Sequence, residues 1–449
     1  MKNSLFNHFK PVSSKAWKQQ IQFELEGDNY NNLTSITNEG IVIKPFYQAS
    51  DIVTRETATV GKNYDTCKTC QFIHVNEAKK ANLDAINALK QGIESLAFII
   101  PNKTVSIDVL LDNIDKSTIL FFEIKFLSTS YILELKKKHP QAIISSDVIN
   151  NLAKTGNWHR NLNTDLDSFK KHSKLTKSIS IDTSLYQNAG ANIVQQLAYG
   201  LAHANEYLNI LDNIDSKQEY KFTFKTSTGS HYFFEIAKLK ALRLLWSSLA
   251  EAYYFNKACL IIATPSKRNK TLYKPKANIT RTTTECMSAM LGGANYVCNS
   301  TYDSLHKQNN NVSAHYAKHQ LLHLQTISAI KNIENPTDGS YYIESITQQL
   351  ADKALALFKD IERHGGFLNQ LKLGTIQRKI KENENKEAFQ FKNKTLTLVG
   401  ANLFVDTRNI KSDIEIYPFR KQHSRKTLLE PIIEKRLAES IEKNRLNQE

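Results

Sequence analysis

Short apolar runs and longer amphipathic stretches alternate along most of this chain. Runs at residues 72–75, 95–100, 118–124, 142–146, 178–183, 222–226, 258–263 and 296–299 are too short for helices and rich in apolar side chains, as buried parallel strands are. Helical patterns lie between them, clearest at 78–91 and 193–211. About eight such alternations predict an α/β fold, a (β/α)8 TIM-type barrel, with ligand chemistry at the C-terminal ends of its strands. Within 281–303, Met287, Met290 and Leu291 recur at i, i+3, i+4, and Gly292-Gly293 ends that helix before Tyr296-Val297-Cys298 extends. Residues 281–285 read as the polar entrance of the helix. Beyond the barrel, 338–371 reads as a turn, a long helix and a stop at Gly365-Gly366, and 372–400 as a further helix. The last 45 or so residues are charged and helix-prone, without a core of their own. The expected division is an N-terminal arm (1–50), a barrel (51–345), a post-barrel helical region (346–405) and a charged tail (406–449).

A chain of 449 residues can bury a large core, and no apolar run approaches the roughly 20 residues of a membrane span. We therefore expect no membrane partner. The net charge of +15 favours an anionic partner, but it is spread along the chain, densest at 136–138, 267–276 and 420–445. No zinc-finger, RNA-recognition or OB-fold motif accompanies it, so no nucleic-acid partner is expected.

Five cysteines, an odd number, point to a reducing, cytoplasmic setting rather than a disulfide framework. Cys67 and Cys70 form a Cys-x-x-Cys, yet no second pair or His pair follows at zinc spacing. A redox role would need a helix after the motif, whereas Phe72-Ile73-His74-Val75 follows. Ordinary thiols are the expectation, and no metal is expected.

Several segments resemble the methylmalonyl-CoA mutase family, in family order. Arg281-Thr282-Thr283, Glu285, Met287 and Ala289, then Gly292-Gly293, Asn299 and Asp303, match its barrel signature. Trp17, Ile21, Leu25 and Gly27 match its opening segment, and Glu39-Gly40-Ile41, Ile43, Pro45 and Tyr47 its extended arm. Residues 231–246 follow a family helix almost residue for residue, retaining Glu235, Lys238 and Arg243, and 339–344 and 399–402 follow two later motifs. The resemblance covers about 17–405, so little sequence precedes it for a cleavable presequence, and the lysines of the first 20 residues come without arginine.

In this family a carbonyl-CoA group migrates between adjacent carbons through radicals generated by adenosylcobalamin, and the resemblance implies where that chemistry should lie. The cobalamin domain and its Asp-x-His-x-x-Gly loop are not found; the nearest likeness, 362–366, belongs to the helix stop. The substrate-side histidine string corresponds without a gap to 180–191, where Leu185 occupies the histidine position. Leucine can neither donate a hydrogen bond nor transfer a proton. Ser184 stands for the neighbouring tyrosine and Asn188 for a glutamate, with Gln187 between them. Glu235 and Lys238 would lie near the barrel mouth as polar support, or else form an i, i+3 surface ion pair. Leu120, Phe121, Phe122 and Ile124 would fill the axial path if they point inward.

The resemblance thus implies a small, non-catalytic subunit, a pseudoenzyme, with no catalytic residue and no bound cofactor of its own. Its partner would be a large catalytic subunit carrying adenosylcobalamin, in a heterodimer that interconverts succinyl-CoA and methylmalonyl-CoA in propionate metabolism. The arm, with Trp17, Ile21, Leu25, Ile41, Ile43, Phe46 and Tyr47, would contact that partner. The alternatives are the catalytic barrel of a split acyl-CoA mutase whose cobalamin domain is a separate polypeptide, which predicts histidine at 185, and a basic nucleic-acid binder on a reused barrel.

Overall fold

A computed structural model describes residues 10, 12–52, 67–307, 310–326, 330, 335–406, 408–419 and 426–449. Eight strands fall on the eight predicted runs: β1 Lys68–His74, β2 Ser95–Ile100, β3 Ile119–Ile124, β4 Ile143–Ser145, β5 Ser178–Asp182, β6 Lys221–Thr228, β7 Cys259–Pro265 and β8 Tyr296–Cys298. Their order is β4-β3-β2-β1-β8-β7-β6-β5, parallel throughout, with helices following the strands. This is a (β/α)8 barrel.

Among the described residues no ladder joins β4 to β5, the two ends of that order. Side chains bridge the seam instead. Asp147, just past β4, accepts from the Asp182 backbone N–H of β5 at 2.9 Å and from the Tyr207 hydroxyl at 2.6 Å. It also contacts His203 Nε2 at 3.0 Å, whose Nδ1 meets the Tyr186 hydroxyl at 3.0 Å. Burial alone would raise the Asp147 pKa, but His203 and Tyr207 outweigh it and hold the carboxyl below its ordinary value.

Strand alternation settles the orientation of β3. Leu120, Phe122 and Ile124 belong to the outer layer between sheet and helices, with Leu96, Phe98 and Ile100. Phe121 faces the axis with Ala97, Ile262, Tyr296, Cys70 and Cys298, its ring 4.7 Å from that of Tyr296. Of the four bulky residues expected to fill the axis, Phe121 alone packs in this inner cluster.

The helix Ala277–Leu291 starts earlier than its motif suggests. Arg281 to Glu285 therefore lie inside it and are not its entrance, because the turn after Pro275 already begins the winding, with Ala277 N–H donating to Lys274 at 2.9 Å. Gly293, at φ +82°, reverses the chain toward β8.

The arm holds an exposed helix, Ser14–Glu24, and a small antiparallel pair, Ser35–Ile36 with Val42–Ile43. Ile41 is fully buried in the main core, whereas Phe23 and Ile36 are more than three-quarters exposed. After the barrel come helices Tyr341–Arg363, Gly366–Lys372 and Thr375–Lys392. The C-terminal segment 426–449 lies against the barrel: Leu429 and Ile432 enter the main core, and Ala438 and Glu442 are buried.

Candidate functional site

The C-terminal strand ends enclose a cavity of about 260 Å³, with Phe72, Phe121 and Ile262 toward the axis and Ser145, Ser180, Asp182 and Lys225 among its polar lining. At its centre, Lys225 Nζ lies 2.9 Å from Glu123 Oε2 and 3.2 Å from Asp182 Oδ2, and 5.1 Å from the Phe72 ring centroid. Lys125 also pairs with Glu123. Burial works against every charge here, yet Asp182 and Glu123 hold the Lys225 ammonium above the ordinary lysine value, and Lys225 and Lys125 hold Glu123 below the carboxylate range. Groups locked in their charged forms over a wide pH range serve neither as general base nor as general acid near neutrality. The arrangement is an ion-pair network on the barrel wall.

These residues escaped the sequence reading. Glu123, Asp182 and Lys225 sit on strands at alternating positions, and the Glu123–Lys225 partners are 102 residues apart. For Glu123 the available signal was a charge within the otherwise apolar strand Ile119–Ile124, which is costly unless paired.

None of the six positions singled out by resemblance lines the cavity. Ser184, in the short helix Ser184–Ala189 after β5, donates its backbone N–H to Asp182 at 3.0 Å and bonds it through its hydroxyl. Leu185 is buried in the main hydrophobic core. Gln187 is buried, and its Oε1 has no hydrogen-bond partner among the described residues. Asn188 accepts from the Lys267 N–H at 2.9 Å and lies 3.4 Å from Ser227 Oγ.

Glu235 and Lys238 form an ion pair, but a buried one, 3% and 2% exposed. The surface pair that was the alternative is ruled out. Glu235 accepts from Gly229 N–H at 2.8 Å, and Lys238 donates to the Ser227 carbonyl at 2.5 Å and to Gln196 at 3.0 Å. The pair therefore anchors the chain leaving β6. Glu285 of the barrel signature is likewise paired and buried, 2.7 Å from Lys270 and 2.6 Å from Asn269 Nδ2.

The segment 428–437 runs as a strap along the rim. Leu428 and Leu429 N–H donate to the Gly156 carbonyl, Ile432 N–H to Ala153 at 2.7 Å, Lys435 N–H to Asn188 at 3.0 Å and Leu437 N–H to Arg268 at 2.9 Å. It thus ties the loops after β4, β5 and β7. Arg268 donates back to the Lys435 carbonyl at 2.9 Å. Glu434 lies 3.5 Å from Lys267 and 3.9 Å from Lys154. Burial would raise its pKa, but these lysines hold it low. Gly156 permits the close approach: it sits at φ +77°, and a Cβ there would come within 2.5 Å of the Leu429 carbonyl oxygen.

The five cysteines are free, and burial pushes the Cys67 thiol far above its ordinary value. Among the described residues no group of three His, Cys, Asp or Glu side chains is placed to hold a metal ion. No described helix is long and apolar enough to cross a membrane.

Residues 100–447 match the family described as methylmalonyl-CoA mutase, so the match takes in much of the tail that the sequence motifs left out. The chain is 27% identical to the methylmalonyl-CoA mutase small subunit of Porphyromonas gingivalis, over 92% of this chain and 73% of that one. It is 25% identical to the methylmalonyl-CoA mutase of Cereibacter sphaeroides, over 87% of this chain and 64% of that one. With the mitochondrial methylmalonyl-CoA mutase of Homo sapiens it shares 26% identity, over 86% of this chain and 60% of the other.

Proposed function

The chain belongs to the methylmalonyl-CoA mutase family, and we propose that it is a non-catalytic small subunit paired with a large subunit that carries adenosylcobalamin. In this reading the pair interconverts succinyl-CoA and methylmalonyl-CoA in the cytoplasm, as part of propionate metabolism, and this chain contributes structure rather than chemistry. The observation that carries the reading is the inside of the barrel. Phe121 and Tyr296 pack edge to face in the inner cluster near the axis, where an acyl-CoA arm would need space, and position 185 presents a buried leucine.

The residues present do not fit adenosylcobalamin. A corrin needs an open face over the strand ends and a polar group to steady the reacting substrate beneath it. Here the strap ties three rim loops together, and the charged groups below are consumed in mutual ion pairs. Leu185 also counts against the catalytic barrel of a split mutase.

The arm supports the partnership. Trp17 is half exposed, Phe23 and Ile36 more so, and the helix Ser14–Glu24 buries no residue within this chain, so its apolar groups need another surface. The test is co-expression with a large methylmalonyl-CoA mutase subunit. A one-to-one complex by gel filtration, with turnover requiring only the large subunit's active site, is expected. Mutase turnover or cobalamin retention by this chain alone would overturn the non-catalytic reading, and failure to associate would overturn the subunit assignment.

A further inference from the structure

The helix Asn311–Thr326 carries His315, His319 and His323, all exposed and spaced i, i+4, i+8. That spacing places the three rings along one face. The His315 and His319 ring centroids are 4.0 Å apart, and those of His319 and His323 are 6.2 Å apart.

The opposite face of the helix is held firmly. Ala317, Leu321 and Leu324 are buried. Gln320 donates to the Ile279 carbonyl at 2.8 Å and to Thr283 Oγ1 at 2.5 Å while accepting from Asn299 at 3.0 Å. Gln325 donates to the Cys67 carbonyl at 2.8 Å and to Glu94 at 2.9 Å. The histidine row therefore projects from a fixed backbone, and two imidazoles one helical turn apart form a ready chelate whose ordering cost is largely met before an ion arrives.

From these observations the geometry points to a surface site for a divalent late transition metal, chelated by His315 and His319 and completed by water. His319 is the shared ligand of the row, because it neighbours both other rings. Imidazole nitrogen suits Zn²⁺, Ni²⁺ and Cu²⁺ and disfavours Mg²⁺ and Ca²⁺, which take oxygen ligands. The ligating form is the neutral one.

The experiment is calorimetric titration of NiCl₂ or ZnCl₂ into the full, untagged chain, repeated for His319→Ala and for His364→Ala, an exposed histidine in the turn that ends the helix Tyr341–Arg363. One ion per chain is expected. Loss of a direct ligand in His319→Ala should weaken binding at least as much as loss of an outer-shell partner does, about tenfold or more. His364→Ala should bind as the parent does, and MgCl₂ should give no heat of binding. Melting temperatures in EDTA, equal for parent and variants, would show that the fold is intact. Parent-like affinity in His319→Ala, an equal loss in His364→Ala, or several equivalent weak sites would overturn the assignment.

Discussion

At the scale of single residues, Leu185 and His172 give opposite lessons about polarity in the core. Leu185, where the sequence resemblance leads one to expect a histidine, lies in the main hydrophobic core, so Leu185→His would bury an imidazole without a designed partner. We expect this variant to lose about 2–3 kcal/mol of stability in denaturant melts and to gain no mutase activity. His172 is a native buried imidazole, 3.1 Å from Ser146 Oγ and 3.3 Å from Thr129 Oγ1. Burial lowers its pKa from 6.5 to about 4. The unfolded chain therefore binds the proton first, and the stability that neutral His172 contributes is lost as the pH falls from about 6.5 toward 4. His172→Gln should flatten thermal stability against pH across that window, and an unchanged slope would reject the account. The Glu235–Lys238 pair was legible in sequence as a pair, but its burial was not, since i, i+3 spacing is the same on either face of a helix.

At the scale of elements, the eight strands could be read because a parallel barrel strand is buried on both faces and so carries a compact apolar run. The seam between β4 and β5, the mouth network and the strap could not. The seam is a missing set of backbone bonds, which leaves no trace in composition. The mouth network pairs charges from separate strands. The strap is held mostly through its backbone, with few apolar anchors. Those anchors still matter: burying Leu429 and Ile432 is worth about 1.5–3 kcal/mol each. Gly156→Ala should loosen the strap, since the left-handed backbone alone costs a side chain about 1–2 kcal/mol and the added Cβ meets the Leu429 carbonyl at 2.5 Å. The measurable result is faster limited proteolysis within 426–437 together with a lower melting temperature. A variant that resists protease like the parent would show that the strap does not depend on that contact.

At the scale of the whole molecule, the chain buries its ion-pair networks and exposes apolar side chains on its N-terminal arm. The barrel interior is packed around Phe121 and Tyr296 and ion-paired along the wall of its cavity, while the N-terminal helix and hairpin keep Trp17, Phe23 and Ile36 in solvent. Deleting residues 1–31 should weaken capture by a large mutase subunit far more than it lowers the melting temperature of the isolated chain, because the helix Ser14–Glu24 buries nothing in its own core. Undiminished capture would place the interface elsewhere. The strap, in turn, has a consequence for how the protein is made. Asn188 and Glu434, which meet at the rim, are 246 residues apart, and a ribosome adding about 5–20 residues per second needs about 12–50 s to cover that distance. For most of that interval β4 and β5 are outside the ribosome with the Asp147 bridges across their seam but without the strap. The nascent barrel is therefore exposed longest at the strand pair that lacks a ladder, and nascent-chain proteolysis should find its most persistent cleavage there until the strap emerges.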